Sequence, residues 1–169
     1  MKNIVLIGMP GAGKSTIGVL LAKTINCRFI DTDLIIQRKY GMLLKDIIAE
    51  RGMEQFLSIE EREIISLNVN QSVIATGGSI VLKEKAMAHL KNIGIVIYLK
   101  LPYPELEKRI KNITARGIVM KENQTLYDVY KERIPLYEKY AEITVCCSGK
   151  TMEQIVELLA AKISECLCG

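Results

Sequence analysis

The chain holds a single histidine, His89, and no Cys-x-x-Cys, so the usual protein zinc sites are not expected. His89 has no Cys, His or acid at ligand spacing and reads as a surface histidine. Long apolar runs are missing as well. No stretch approaches the length that spans a bilayer, and no membrane partner is expected. There is no block of Lys or Arg, and the net charge is only +4, so no nucleic-acid partner is expected either. Internal repeats and low-complexity segments are absent. Met1-Lys2-Asn3 leads straight into an apolar run, so no signal peptide is expected. The cysteines are Cys27, Cys146, Cys147, Cys166 and Cys168, an odd number. Without a secretory signal they read as reduced thiols in a cytoplasmic protein. Cys166-Leu167-Cys168-Gly169 has the position of a prenylation box, but the final glycine fits poorly and no polybasic stretch precedes it. What remains is a chain of 169 residues, 49% hydrophobic and 25% charged. That composition is ordinary for a globular protein, and the length suits one domain with a substantial core.

Gly8-Met9-Pro10-Gly11-Ala12-Gly13-Lys14-Ser15-Thr16 fits G-x-x-x-x-G-K-[ST], the P-loop. Ile4-Val5-Leu6-Ile7 before it reads as a buried strand. Ile17, Leu20, Leu21 and Ile25 after it repeat at helical spacing, so a helix starts near Lys14. A strand, a glycine loop and a helix N-terminus in that order make an anion cradle. Lys14 is placed to reach the β- and γ-phosphates of a nucleotide, and Ser15 to offer its hydroxyl to Mg²⁺.

Phe29-Ile30 reads as a second strand ending in Asp31-Thr32-Asp33. Acids at a strand's carboxyl end lie where open α/β sheets bind ligands. Either acid could instead cap the next helix. Residues 34–70 read as mostly helical, a long insertion that could carry a substrate-binding subdomain. Val73-Ile74-Ala75 is a third strand, followed by Thr76-Gly77-Gly78-Ser79. The double glycine allows close approach of a ligand, or simply a tight turn. Ile95–Leu99 and Ile143–Val145 are the fourth and fifth strands. Residues 112–124 show little periodicity and fit a mobile lid, and Met152 to Ile163 form the apolar stripe of a terminal helix. Alternating strands and helices imply a parallel sheet covered on both faces.

With these residues in place the chain resembles the shikimate kinases, which share the P-loop class of nucleoside monophosphate kinases. The resemblance covers nearly the whole length. It rests on the P-loop, Phe29-Ile30-Asp31-Thr32-Asp33, Ala75-Thr76-Gly77-Gly78, Arg116, and Arg133-x-Pro135-Leu136-Tyr137 followed by Ala141. It implies a three-layer α/β fold with a five-stranded parallel sheet in the order 2-3-1-4-5 and a lid. It implies ATP-dependent phosphorylation of a hydroxyl of shikimate, giving shikimate 3-phosphate, by a monomer. The same resemblance implies residue roles. Gly11, Ala12, Gly13, Lys14, Ser15 and Thr16 would bind the nucleotide phosphates, and Arg109 would pack on adenine. Ser15 and Asp31 would hold Mg²⁺, the latter through water. Asp33 would bind the acceptor hydroxyl and help take its proton. Gly77, Gly78 and Arg133 would bind the acceptor, and Arg116 would close over the transferring phosphoryl.

Some positions depart from that family's pattern. Its F-R-x-x-E reads Phe56-Leu57-Ser58-Ile59-Glu60, so an arginine is replaced by Leu57 and Glu60 loses its partner. Arg62 is no substitute, since five residues along a helix is about 500°, some 140° off the face of Leu57. A third glycine is replaced by Ser79, whose Cβ would resist a positive φ. The lid's Arg-Pro-Leu-Leu reads Arg116-Gly117-Ile118-Val119. The nucleotide half matches and the acceptor half is altered. A kinase of the same build acting on another small hydroxylated metabolite is the alternative. A GTPase-like switch would need N-K-x-D, which the chain lacks.

Overall fold

The computed structural model of the chain describes residues 2–110 and 117–168. In chain order the elements are β1 (Asn3–Ile7), α1 (Lys14–Thr24), β2 (Arg28–Asp31), α2 (Thr32–Tyr40), α3 (Leu44–Arg51), α4 (Met53–Ile65) and β3 (Ser72–Ala75). A 3-10 turn at Ile80–Leu82 follows, then α5 (Glu84–Ile93), β4 (Gly94–Lys100), α6 (Tyr103–Ile110), α7 (Leu126–Tyr140), β5 (Ile143–Cys146) and α8 (Met152–Cys168). The strands form one parallel sheet in the order β2-β3-β1-β4-β5, as the sequence led us to expect.

The central strands are unbroken apolar runs because helices cover both faces of the sheet. Ile4 pairs with Val73 on one side and Ile95 on the other, and all three are buried. Two buried polar residues, Asn3 and Ser72, sit at their starts. Asn3 Nδ2 donates to the carbonyls of Val69 and Ile93, at 2.7 and 2.9 Å, and Asn3 Oδ1 accepts from Ser72 N at 3.1 Å. A single buried amide thereby aligns the starts of three strands with its polar atoms satisfied. The other ends of the strands carry the site.

The helix boundaries follow local chemistry. Pro104 lies in the first turn of α6, where its missing N–H costs nothing. Thr125 and Asp128 form a reciprocal capping box at the start of α7. Apolar side chains divide into two clusters. The larger covers the sheet. The smaller gathers Ile36, Leu44, Ile47, Phe56, Leu57, Ile59 and Val119, from α2, α3, α4 and the segment before α7.

One expectation changes here. His89 is half-buried, not a surface residue, with Nε2 at 2.9 Å from the Leu67 carbonyl oxygen. Of the expected lid, residues 112–116 and with them Arg116 lie outside the described residues. Val119 is buried in the smaller cluster, and a Cβ at Gly117 would lie 2.8 Å from the backbone nitrogen of Lys45. Among the described residues no helix is long and apolar enough to cross a membrane.

Candidate active site

The P-loop runs from the end of β1 into α1. Gly13 caps α1 in the left-handed region, at φ 94°, a conformation that strains any residue with a Cβ. With it the first turn of α1 borders a cavity of about 500 Å³, lined by Pro10, Gly11, Lys14, Thr16, Arg109 and Met152 among others. Lys14 Nζ donates to the carbonyls of Gly8 and Met9, at 2.7 and 2.9 Å. Burial pushes its pKa down from 10.5 to about 8, against the opposing fields of Asp33 and Asp31. Arg109 Nη1 donates to the Gly11 carbonyl at 3.3 Å, so α6 brings this arginine onto the loop.

Asp31 caps the next helix, one of the two readings that the sequence left open, and also touches the P-loop. Its Oδ1 accepts from the backbone N–H groups of Asp33 and Leu34, at 3.0 and 3.3 Å, and so caps α2. Its Oδ2 accepts from Ser15 Oγ at 2.6 Å. Asp33 is not on the strand but in the first turn of α2. The two acids therefore reach the site from different elements. A second cavity, of about 320 Å³, is lined by Ser15, Asp31, Asp33, Leu34, Gln37 and Leu44 among others. Both cavities share Ser15 and Asp33.

The loop after β3 closes the site from the side. A Cβ on Gly77 would lie 2.3 Å from Glu60 Oε1 and 2.9 Å from Asp33 Oδ1. One on Gly78 would lie 2.7 Å from Pro10 Cδ of the P-loop. Close approach, not turn geometry, excludes side chains at both positions. Ser79 has φ −85°, so the expected clash with a positive φ does not arise. Its Oγ instead donates to Glu60 Oε2. Glu60 is 3% exposed, and burial raises its pKa from 4.5 to about 8. Arg133, on α7, is 2% exposed and donates through Nη2 to the Val119 carbonyl. Four residues on, Tyr137 donates to the Gly78 carbonyl at 2.6 Å. Leu57 is 9% exposed and packs in the smaller apolar cluster. Arg62 points elsewhere, as its angle on the helix requires, and donates to Tyr40 Oη.

Lys14, Ser15, Asp31, Asp33, Gly77, Gly78 and Arg109 thus gather around the two cavities or their shared wall. The sequence reading had not placed Tyr137 or Ser79 as working parts. Tyr137 was quoted only as part of a motif, and Ser79 only as a departure. No short motif signals that residues 60 and 79 meet, because α4 and the loop after β3 come together only in the fold.

Among the described residues no three His, Cys, Asp or Glu side chains converge as a metal cage. A hard divalent ion bound through one carboxylate, one hydroxyl, water and phosphate oxygens suits the Ser15–Asp31 pair.

A family model described as "Shikimate kinase" matches residues 10–164. A shikimate kinase from Clostridium botulinum (strain Okra / Type B1) is 40% identical, over 95% of this chain and 96% of that protein. One from Thermodesulfovibrio yellowstonii is 37% identical, over 93% and 92%. A solved structure of shikimate kinase from Acinetobacter baumannii in complex with shikimate superposes with a TM-score of 0.89 at 30% identity, covering 98% of this chain and 94% of that one. On the P-loop cradle, the acids beside it and this likeness along nearly the whole chain, the protein belongs to the shikimate kinase family.

Proposed function

We propose that the chain transfers the γ-phosphoryl group of ATP to the 3-hydroxyl of shikimate, giving shikimate 3-phosphate. The observation that carries this reading is Asp33, which lines both the P-loop cavity and the neighbouring one. A carboxylate at that junction can accept the proton of a hydroxyl on one side while the hydroxyl faces a phosphoryl group on the other. Phosphoryl transfer needs alignment and charge neutralisation more than covalent catalysis.

Gly11, Ala12, Gly13, Ser15 and Thr16 present the loop and helix N–H groups to the phosphates, and Arg109 packs on the base. Lys14 leaves the carbonyls of Gly8 and Met9 to follow the charge that spreads over the transferring group. Ser15 and Asp31 would hold Mg²⁺, the latter through water. That ion would neutralise phosphate charge when bound. Gly77 and Gly78 offer backbone groups to the acceptor, and Arg133 grips its carboxylate. Residues 34–70 serve as the acceptor-binding insertion of a single domain, residues 112–124 as a lid, and Arg116 closes over the phosphoryl group. All these residues come from one chain, so a monomer suffices, with neither nucleic acid nor membrane. The exposed free thiols of Cys146 and Cys166 suit a reducing cytoplasm.

Leu57 supports a second reading. It supplies methyl groups to an apolar cluster and no charge to an acidic acceptor. A related hydroxylated metabolite with less acid character is the alternative substrate. A coupled assay of ADP release over shikimate, other hydroxy acids and polyols tests both, with Asp33→Asn as the control. Shikimate-dependent ADP formation that falls ~10²–10⁴-fold in Asp33→Asn, at little-changed KM for ATP, is expected. No shikimate-dependent ADP from the wild type would remove the shikimate assignment.

A further inference from the structure

Two buried acids stand one turn apart on α4, and they are satisfied differently. Glu63 pairs with Lys39 at 2.8 Å and Arg62 at 3.5 Å. Glu60 makes no ion pair among the described residues. Its Oε2 takes the hydroxyl hydrogen of Ser79, and its Oε1 faces Asp33 Oδ1 across Gly77. Arg133 and Lys14 are the cations whose fields reach it. Leu57, one turn before Glu60, has no donor to offer.

We propose that Ser79 is a positioning residue of the acceptor site: its hydroxyl holds the Glu60 carboxyl and so leaves the Arg133 guanidinium available to an acidic group on the acceptor. The inference rests on the reading of Arg133 as the acceptor's anion contact. Its physical basis is competition. A buried carboxyl that loses its donor takes the next one within reach. Arg133 is the cation whose field acts most strongly on Glu60. Its Nε has no hydrogen-bond partner among the described residues, and a guanidinium N–H donates to a carboxyl oxygen whether or not that carboxyl carries its proton. An arginine so engaged is lost to the acceptor. A guanidinium at position 57 would satisfy Glu60 as Ser79 does, because residues three apart share a helix face. Ser79 and a basic residue 57 are therefore interchangeable partners of one carboxyl.

The test uses four full-length proteins: wild type, Ser79→Ala, Leu57→Arg and the double variant. Each is assayed for KM with shikimate and with ATP, and each is unfolded in urea. Ser79→Ala is expected to raise the KM for shikimate about tenfold and to move the KM for ATP less than about twofold. In the Leu57→Arg background the same change should move neither by more than about twofold, and the unfolding midpoints should be non-additive in the same sense. A parallel rise of both KM values, or additive effects in both measurements, overturns the inference. If the wild type does not phosphorylate shikimate, the functional reading falls on its own. The unfolding cycle then still decides, because additive midpoints refute the shared carboxyl and non-additive ones support it. If Ser79→Ala does not fold, recovery of folding in the double variant is the expected coupling, and failure of both refutes it.

Discussion

Ser15 Oγ donates to Asp31 Oδ2 at 2.6 Å, while Oδ1 of the same carboxylate caps α2. One side chain thus joins the first turn of α1 to the first turn of α2, and its two oxygens do different work. Asparagine caps a helix about as well as aspartate, whereas alanine costs roughly 1 kcal/mol. Asp31→Asn should therefore melt near the wild-type temperature but need more Mg²⁺ for half-maximal activity. Asp31→Ala should lose stability as well. Thermal melts and Mg²⁺ titrations of both variants check this. Unchanged Mg²⁺ dependence in both would leave Asp31 as a cap only.

Lys14→Met separates catalysis from stability. Losing one donor aimed at developing charge lowers kcat by ~10²–10³-fold, and ATP affinity should fall less. The stability effect has the opposite sign. Burial holds Lys14 near 8, below the ordinary 10.5. Between those values the unfolded chain binds the extra proton, so this group makes the fold more stable as pH rises from about 8 toward 10.5. Lys14→Met should remove that rise and be no less stable than wild type near neutrality. Rates and urea midpoints across this range decide it.

Glu60 gives the mirror case at lower pH. Its folded pKa is raised from 4.5 to about 8, chiefly by burial. The folded chain then holds a proton that the unfolded chain has released. The stability Glu60 contributes is complete below 4.5 and is lost as pH rises to about 8. Glu60→Gln should flatten that part of the pH–stability curve. Urea unfolding of wild type and variant at several pH values across this window measures it; parallel curves would show that Glu60 is ionised in the fold.

The glycines after β3 can be tested separately. Gly77→Ala drives a methyl group toward Glu60 Oε1 and Asp33 Oδ1, and Gly78→Ala drives one into Pro10. Each should cost about 1–3 kcal/mol in stability. Their kinetic signatures should differ: Gly77→Ala raises the KM for the acceptor, and Gly78→Ala, by pushing on the P-loop, the KM for ATP. Initial rates with each substrate varied in turn would reveal whether the two effects are instead alike.

The parts of this site that are local in the chain were legible in the sequence. The P-loop from Gly8 to Thr16 is a contiguous motif flanked by its own strand and helix, and it folds as read. Asp31 and Asp33 stand together after β2 in the sequence, yet they belong to different elements in the fold, because α2 begins at Thr32. Ser79 was read as strained because glycine is usual there in the resembling family. Its φ of −85° shows that the smallness of a residue elsewhere does not reveal why it is small. Glu60 and Ser79, and Arg133 and Val119, meet only through tertiary packing. A pattern of residue types along one chain carries no record of such pairs.

The division of the apolar interior into two clusters has a consequence for descent. The larger cluster underlies the sheet and the nucleotide cradle, and the smaller, which includes Leu57, is built from α2, α3, α4 and the segment before α7, under the proposed acceptor site. Exchanges among residues 36, 44, 47, 56, 57, 59 and 119 can accumulate without disturbing the strands that shape the P-loop. A lineage built this way can drift in what it accepts while its handling of the nucleotide stays intact.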